Sequence, residues 1–381
     1  MKRCDLGSLM SVVFTERFTQ PAHQPEPRTI PSLDGLRAVS ILLVVISHSA
    51  GFDRHSFVLR LLFSHGELGV RIFFIISGYL ITTLLLNELA DYGNISLRLF
   101  YIRRGLRILP AFYLFVSFVI VLDRYSASFL SRVDIVRTLT YTVNFSYSSN
   151  WWIGHLWSLS VEEQFYLLWP LAIGRLRMRT CVIIAIFTVF AGIIIRAIYA
   201  TTGLQILDPN LRYAFPFVAG PLAMGCLLAM AGRQAHNILR YCGLLSGYRA
   251  LALIPVILIL DVLDVHVGSL NRVLAVLTNI LVTACVARFL FTPCDSAGRL
   301  LNCRPLVFIG KLSYSLYLWQ QVFFNPLSTM AFCRFPLSLS GTVAAASASY
   351  LLVERPMLGL RRRFRRNVLV APTPTCVVYE C

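Results

Sequence analysis

The sequence predicts an all-α integral membrane protein, a polytopic bundle of about ten transmembrane helices. Hydrophobic residues make up 57% of the 381 residues and charged residues only 14%, and a soluble globule of this size could not cover so much apolar surface. The apolar residues also fall in long blocks, each close to the ~20 residues that cross a bilayer. The lipid bilayer is therefore the first partner that the sequence predicts.

The apolar blocks define the expected domain organisation. A polar, proline-bearing stretch predicts a disordered cytoplasmic tail over 1–29, followed by a transmembrane domain over 30–356 and a basic cytoplasmic tail over 357–381. Within the domain, the spans are expected at roughly 36–53, 68–88, 108–123, 155–174, 181–200, 213–232, 249–265, 271–291, 306–326 and 335–353.

The net charge of +17 follows the membrane topology and does not indicate nucleic acid, because nothing in the chain resembles a nucleic-acid module. With the N-terminus inside, 25 of the 35 basic residues fall on the cytoplasmic side. This positive-inside bias predicts a multi-pass protein of the inner (plasma) membrane with both termini in the cytoplasm. The ten cysteines contain no C-x-x-C pair, and no metal site is expected.

Ionisable residues inside the apolar blocks are the candidates for function, because a charge at mid-bilayer costs at least ~2.5–3.5 kcal/mol. In "LDGLRAVSILLVVISH", Arg37 and His48 are eleven residues apart, so they face the same way on a helix about 16 Å apart. Asp34 is expected to pair with Arg37. An anchoring arginine, with a histidine satisfied by a neighbouring helix, is the alternative.

The stretch "FYIRRGLRILP" places Arg103, Arg104 and Arg107 at i, i+1 and i+4, so that three guanidiniums can share one helix face. Arginine forks suit phosphate oxygens. Anchoring at the positive inner side of the membrane is the alternative.

The stretch "HLWSLSVEEQFYLLWP" places Ser158 and Glu162 at i and i+4, with Glu163 turned about 100° away. A serine can hold a carboxylate, and a carboxylate can orient a histidine or accept a proton. A structural polar network between helices is the alternative. In "GVRIFFIISGYLI", Arg71 is expected to meet Glu162 or Glu163, and Ser77–Gly78 to allow close helix packing.

At these residues the sequence resembles the acyltransferase-3 family of integral membrane O-acyltransferases, whose bacterial members acylate O-antigens, exopolysaccharides, lipochito-oligosaccharides and antibiotics. The resemblance covers residues 30 to about 365 and rests on six motifs in the family's order: "LDGLRAVSILLVVISH", "GVRIFFIISGYLI", "RRGLRILP", "LWSLSVEEQFYLLWP", "IGKLSYSLYLWQQ" and "ASYLLVERP". Two positions depart from the pattern. Many members have an acidic residue where Arg71 stands, and many have Trp-His where this chain has Trp319–Gln320, so we expect no second histidine to take part.

The resemblance implies that Arg37 and His48 are essential and that Arg104 and Arg107 serve the acyl-CoA end. It also implies that Ser158 and Glu162 belong to the site.

The expected reaction follows from this resemblance. Acetyl-CoA, or another acyl-CoA, would dock its phosphates on the three arginines of "RRGLR" and lay its pantetheine arm toward His48. His48 would act as general base on a carbohydrate hydroxyl, with Glu162 orienting its ring and Glu163 holding Arg71. A covalent relay through an acyl-enzyme, with His48 as a candidate nucleophile, stays open.

Two other classes of protein stay open at this point, a proton-coupled transporter and a non-catalytic membrane scaffold. The sequence does not name the acceptor, the acyl chain or the oligomeric state.

Overall fold

The structure is a computed structural model, and it describes residues 32–49, 65–125, 130–145, 150–201, 213–241, 243, 252–266, 271–293, 295–325, 328 and 330–364. The regular secondary structure in these ranges is helical, with no strand, so the predicted all-α class is confirmed. The expected tail over 1–29 lies outside the described residues, as do residues 365–381 of the expected basic tail.

Sixteen α-helices, α1 to α16, are described within these ranges. In chain order they are Leu33–His48, Gly66–Tyr92, Leu97–Arg124, Arg132–Leu139, Trp151–Gly154, Leu156–Arg175, Met178–Thr201, Phe215–Val218, Gly220–Ala231, Arg233–Tyr241, Leu253–His266, Asn271–Phe291, Ser296–Leu301, Arg304–Phe323, Leu337–Ser349 and Arg355–Arg361. A π-helical turn, Tyr350–Glu354, joins α15 to α16, and 3-10 turns cover Val143–Phe145, Ala331–Cys333 and Arg362–Phe364.

Four helical stretches of the described chain are long and apolar enough to cross a membrane: Gly66–Tyr92, Leu97–Arg124, Leu274–Phe291 and Leu337–Phe364. Three shorter apolar stretches are Met178–Gly192, Gly220–Ala231 and Leu253–Leu263. Apolar helices thus recur along the chain, but the predicted count of about ten spans is not confirmed.

Two spans differ from their predicted limits. The third was expected to begin near Pro110, yet α3 starts at Leu97 and runs through the proline. Its first three turns therefore carry the "RRGLR" arginines into the bundle. The last span continues past residue 353 through the π-turn into α16, so the predicted domain boundary at residue 356 falls inside a helix.

Helix α1 packs against both α2 and α14. A side chain at Gly310 would overlap the carbonyl of Asp34, and one at Gly69 would press on the carbonyl of Ser40. These glycines let the helix backbones approach closely, as small residues do in membrane bundles. The contacts make α1 parallel to α14 and antiparallel to α2.

The predicted packing role of Ser77–Gly78 is confirmed for the glycine. Gly78 of α2 meets the carbonyl of Leu222 in α9, and Gly225 of α9 meets the carbonyl of Ile75 in α2. The two glycines form a reciprocal crossing of antiparallel helices. Ser77 is left on the other side of α2, facing α6.

Helix α11 is joined to α2 by buried charges. Asp261 accepts from His65 Nδ1 at 2.8 Å, and its other oxygen lies 3.6 Å from the Arg71 guanidinium. Arg71 also lies 3.9 Å from Glu67. The expectation that Arg71 meets Glu162 or Glu163 is wrong, because the Arg71 guanidinium pairs with Asp261, which is distant in the sequence.

We expect Asp261→Asn to lower the melting temperature of the detergent-solubilised protein. The change removes the carboxylate while His65 and Arg71 stay buried, and breaking a buried ion pair from one side costs about 3–5 kcal/mol. Thermal unfolding followed by tryptophan fluorescence measures the shift. The control is Asp91→Asn, since Asp91 is exposed near the C-terminal end of α2. Equal melting temperatures for the two variants would contradict a stabilising role for this cluster.

Candidate active site

Polar side chains from α1, α2, α3, α6 and α14 form a series of neighbouring groups inside the bundle, which we call the polar column. Because α1 carries Arg37 near its first turn and His48 at its last residue, the column has an arginine end and a histidine end, about 16 Å apart. Its members in the described residues are Arg37, His48, Ser77, Arg104, Arg107, His155, Ser158, Glu162, Tyr166, Tyr317, Gln320 and Gln321.

At the histidine end, the last turn of α14 surrounds the ring of His48. His48 Nδ1 lies 3.1 Å from Gln320 Oε1, and His48 Nε2 lies 3.3 Å from Gln321 Nε2. His155, which precedes α6, places its Nδ1 2.9 Å from Gln321 Oε1. Trp151 packs edge-on against the His48 ring.

One assignment of donors satisfies all three contacts. His155 Nδ1–H donates to Gln321 Oε1, the Gln321 amide donates to His48 Nε2, and His48 Nδ1–H donates to Gln320 Oε1. His48 is then neutral, with the lone pair on Nε2. Turning the Gln321 amide, with the His155 proton moved from Nδ1 to Nε2, gives the alternative assignment, in which His48 Nε2 donates to Gln321 Oε1. In the first assignment the network holds the basic tautomer of His48.

This arrangement corrects two expectations. Glu162 does not orient the His48 ring, because Gln320 holds Nδ1 and Glu162 accepts from Ser77 Oγ at 2.7 Å. A second histidine does reach the site, because His155 is joined to His48 through a single glutamine side chain.

The middle of the column joins α6 to α2 and α14. Ser158 does not contact Glu162, as its spacing suggested, but lies 2.7 Å from the Tyr317 hydroxyl. Tyr317 in turn donates to the carbonyl of His155. Ser158 and Tyr317 thus fix the backbone that carries His155. Glu163 is largely buried, and one of its oxygens has no hydrogen-bond partner among the described residues.

The segment before α5, which contains Tyr141 and Asn144, is held against α6. Gln164 Nε2 donates to the carbonyl of Tyr141 and to Asn144 Oδ1, both at 2.9 Å. Burial, with the nearby charge of Glu163 in support, raises the pKa of the Tyr141 phenol. Tyr141 therefore stays neutral, and its ring stacks on Phe112 of α3.

At the arginine end, two of the three predicted guanidiniums point into the bundle. Arg104 stacks over the Tyr166 ring with its Cζ 3.5 Å from the ring centroid, and the charges of Arg37 and Arg104 both act on Arg107. The predicted Arg37–Asp34 pair is confirmed at 3.4 Å. Within the described chain, neither Arg104 nor Arg107 makes an ion pair with a carboxylate.

Arg103 does not join that cluster. Its guanidinium lies 3.0 Å from Glu88 of α2 and donates to the carbonyl of Phe364 at 3.3 Å. The three arginines therefore do not share one face. Arg103 is turned toward the chain that follows α16.

The glutamines and the tyrosine of α14 were not predicted as site residues. A signal for them exists, because Tyr314, Tyr317 and Gln321 recur at i, i+3 and i+7 in an otherwise apolar helix and so form one polar stripe. Tyr314 donates to the carbonyl of Ile108 at 3.0 Å, which ties that stripe to α3.

Comparison with known proteins decides the family. The family described as an acyltransferase domain matches residues 30–354. The chain belongs to this acyltransferase family. The family and the recurring apolar helices indicate a multi-pass membrane protein. No solved structure matches it significantly.

The chain has relatives in bacteria. It is 30% identical over 386 aligned positions to "Putative peptidoglycan O-acetyltransferase YrhL" of Bacillus subtilis, covering 90% of this chain and 57% of the relative. It is 28% identical over 384 positions to "O-acetyltransferase OatA" of Staphylococcus aureus, covering 90% of this chain and 59% of the relative. The acyltransferase thus spans less than two thirds of the length of these relatives.

Proposed function

We propose that the acyltransferase moves an acyl group, most simply acetyl, from cytoplasmic acyl-CoA to a hydroxyl of a carbohydrate or glycoconjugate at the cell surface. The observation that carries the proposal is the polar column, which connects a cluster of inward-facing arginines at one end to the hydrogen-bonded ring of His48 at the other. The names of the relatives, O-acetyltransferases and in one case a peptidoglycan O-acetyltransferase, support acetyl as the group and a glycan as the acceptor.

The donor is assigned to the arginine end. Arg104 and Arg107 are directed into the bundle and make no ion pair with a carboxylate among the described residues, and guanidiniums form strong charge-assisted bonds to phosphate oxygens. Arg37 adds a third positive charge from α1. The pantetheine arm of CoA is thin enough to follow the column toward His48 while the phosphates stay at the arginine end.

The chemistry is assigned to the histidine end. His48 Nε2 takes the proton of the acceptor hydroxyl while that oxygen attacks the thioester carbonyl. The carbon–sulfur bond then breaks, and the CoA thiolate recovers the proton from His48. Gln320 holds Nδ1–H through both steps, whereas Gln321 leaves Nε2 when the hydroxyl arrives. The proton that leaves the acceptor hydroxyl therefore ends on the CoA thiol, and His48 returns to its starting state.

The other candidate residues are positioning residues in this proposal. Ser158 acts through Tyr317 on the backbone of His155, and His155 fixes the Gln321 amide. Glu162 binds Ser77 and lies close enough to Arg104 for their charges to interact. A relay through an acyl-His48 intermediate is the second route, and a burst of CoA release without acceptor would indicate it.

The proposal is tested with purified protein in detergent or liposomes, given radiolabelled acetyl-CoA and a panel of glycan fragments. We expect free CoA and O-acetylated glycan to form in equal amounts. A proton-coupled transporter would instead move substrate across liposomes without forming an ester. Absence of both CoA release and ester with every acceptor, from protein that still unfolds cooperatively, would contradict acyl transfer.

The proposed topology has about ten spans in the inner membrane, with the arginine end and both termini in the cytoplasm. The 25 basic residues assigned to that side support it. We expect an alkaline phosphatase fusion after Arg366 to be inactive and a fluorescent protein fusion at the same residue to be bright. Active phosphatase at that position would overturn the orientation.

A further inference from the structure

We propose that Arg361 binds a phosphate group of the acyl donor, taking the place at the arginine end that Arg103 does not fill. This inference rests on the proposed function and adds a residue outside the motif that carries the other arginines. The family match ends at residue 354, so Arg361 lies in chain that follows the matched region.

The first observation is that α16 packs against α3 and is held from both sides. Before α16, the buried carboxylate of Glu354 in the π-turn accepts from Ser315 of α14. After α16, the carbonyl of Phe364 accepts from Arg103 of α3. Single π-turns inside helices frequently occur at functional sites, and this one directs Glu354 into the bundle. Both anchors lie in the described chain, and Arg361 lies between them.

The second observation is where Arg361 points. Phe364 lies at the level of Arg103, so Arg361, one turn earlier in the chain, lies further along α3 toward Arg107. Its charge acts on Arg107, as do those of Arg37 and Arg104. Arg361 is partly buried, whereas the adjacent Arg362 and Arg363 are exposed. One arginine of the basic run thus faces the cluster, and its neighbours face outward.

The third observation is the charge that results. The charges of Arg37, Arg104 and Arg361 all repel that of Arg107, and repulsion between buried charges is only weakly screened. The carboxylate of Glu354 offsets part of this repulsion. Two of the four, Arg104 and Arg107, have no ion pair within the described residues. A donor with several phosphate charges would relieve this repulsion. A planar guanidinium fork would also fix the phosphate geometry.

The role of Arg103 follows from the same contacts. It bridges Glu88 and Phe364 and so holds the end of the C-terminal segment against α3. Arg103 is a positioning residue for that segment, and Arg361 is the residue that reaches the phosphate.

The test compares two thioester donors, acetyl-CoA and S-acetylpantetheine, because the second has no nucleotide and no phosphate. For Arg361→Ala in the full-length protein, we expect KM for acetyl-CoA to rise roughly tenfold or more, with no change for S-acetylpantetheine. Arg361→Lys should recover part of the loss, since it keeps the charge without the fork. The matched controls, Arg362→Ala and Arg363→Ala, remove the same charge from exposed positions and should match wild type with both donors.

The outcomes separate the two proposals. If wild type shows no saturable dependence on acetyl-CoA, the proposed function fails. If wild type saturates but Arg361→Ala behaves like Arg362→Ala, the assignment of Arg361 is wrong. A similar loss with both donors would mean that Arg361 only supports the fold, and this would also overturn the assignment. Comparing acetyl-CoA with its 3′-dephospho form then identifies which phosphate Arg361 contacts.

Discussion

His48→Ala is expected to lower acyl transfer by about 10²–10⁴-fold, the usual contribution of a general base, while acyl-CoA binding stays close to wild type. Catalysis should be lost without loss of donor binding because His48 lies about 16 Å from the arginine end. The side chains that contact His48 are Gln320 and Gln321. The base acts on the acceptor hydroxyl and has no contact with the donor phosphates.

The measurement is kcat in liposomes, beside the dissociation constant for CoA, at equal amounts of inserted protein. The control is His236→Ala, because His236 lies in α10 and packs edge-on against Phe291 of α12, outside the polar column. Near wild-type turnover of His48→Ala would show that this histidine only packs against its neighbours. Equal losses in the control would point to a general effect on folding.

Arg104→Ala and Arg107→Ala are expected to weaken acyl-CoA binding by roughly 1.5–3 kcal/mol each, about 10- to 150-fold. Each change removes a guanidinium that makes no ion pair with a carboxylate in the described chain, although the charge of Arg104 reaches Glu162 and Glu163 and that of Arg107 reaches Glu354. Because the protein loses no ion pair of its own, the effect should fall on the ligand more than on folding. Arg→Lys at either position should restore part of the affinity, since lysine keeps the charge and loses the fork.

Titration of CoA into the purified protein measures this loss, and Arg98→Ala is its matched control. Arg98 lies in the first turn of the same helix and is exposed, so its removal should leave the affinity unchanged. CoA affinities equal to wild type in both variants would show that the donor does not bind at the arginine end. The acyl-CoA part of the proposed function would then be wrong, even if acyl transfer from another donor persisted.

The sequence by itself determined the class of the protein. The length of the apolar blocks and their low charge predicted membrane helices, because a backbone in hydrocarbon must satisfy its hydrogen bonds internally. Helical periodicity placed Arg37 and His48 on one face, and short-range spacing found the Arg37–Asp34 pair. These features are local, and one helix is enough to define them. The ordered motifs also identified the family, which the match over residues 30–354 confirmed.

The tertiary structure alone decided which polar groups meet. His48 is held by Gln320 and Gln321, more than 270 residues away, instead of by Glu162. Arg71 is paired with Asp261 of α11. Arg103, expected in the group that binds phosphate, is turned to Glu88 and the carbonyl of Phe364 instead. Spacing along one helix fixes the direction of a side chain, but its partner depends on which helix packs there, and that is set by close glycine contacts and buried surface across the whole bundle.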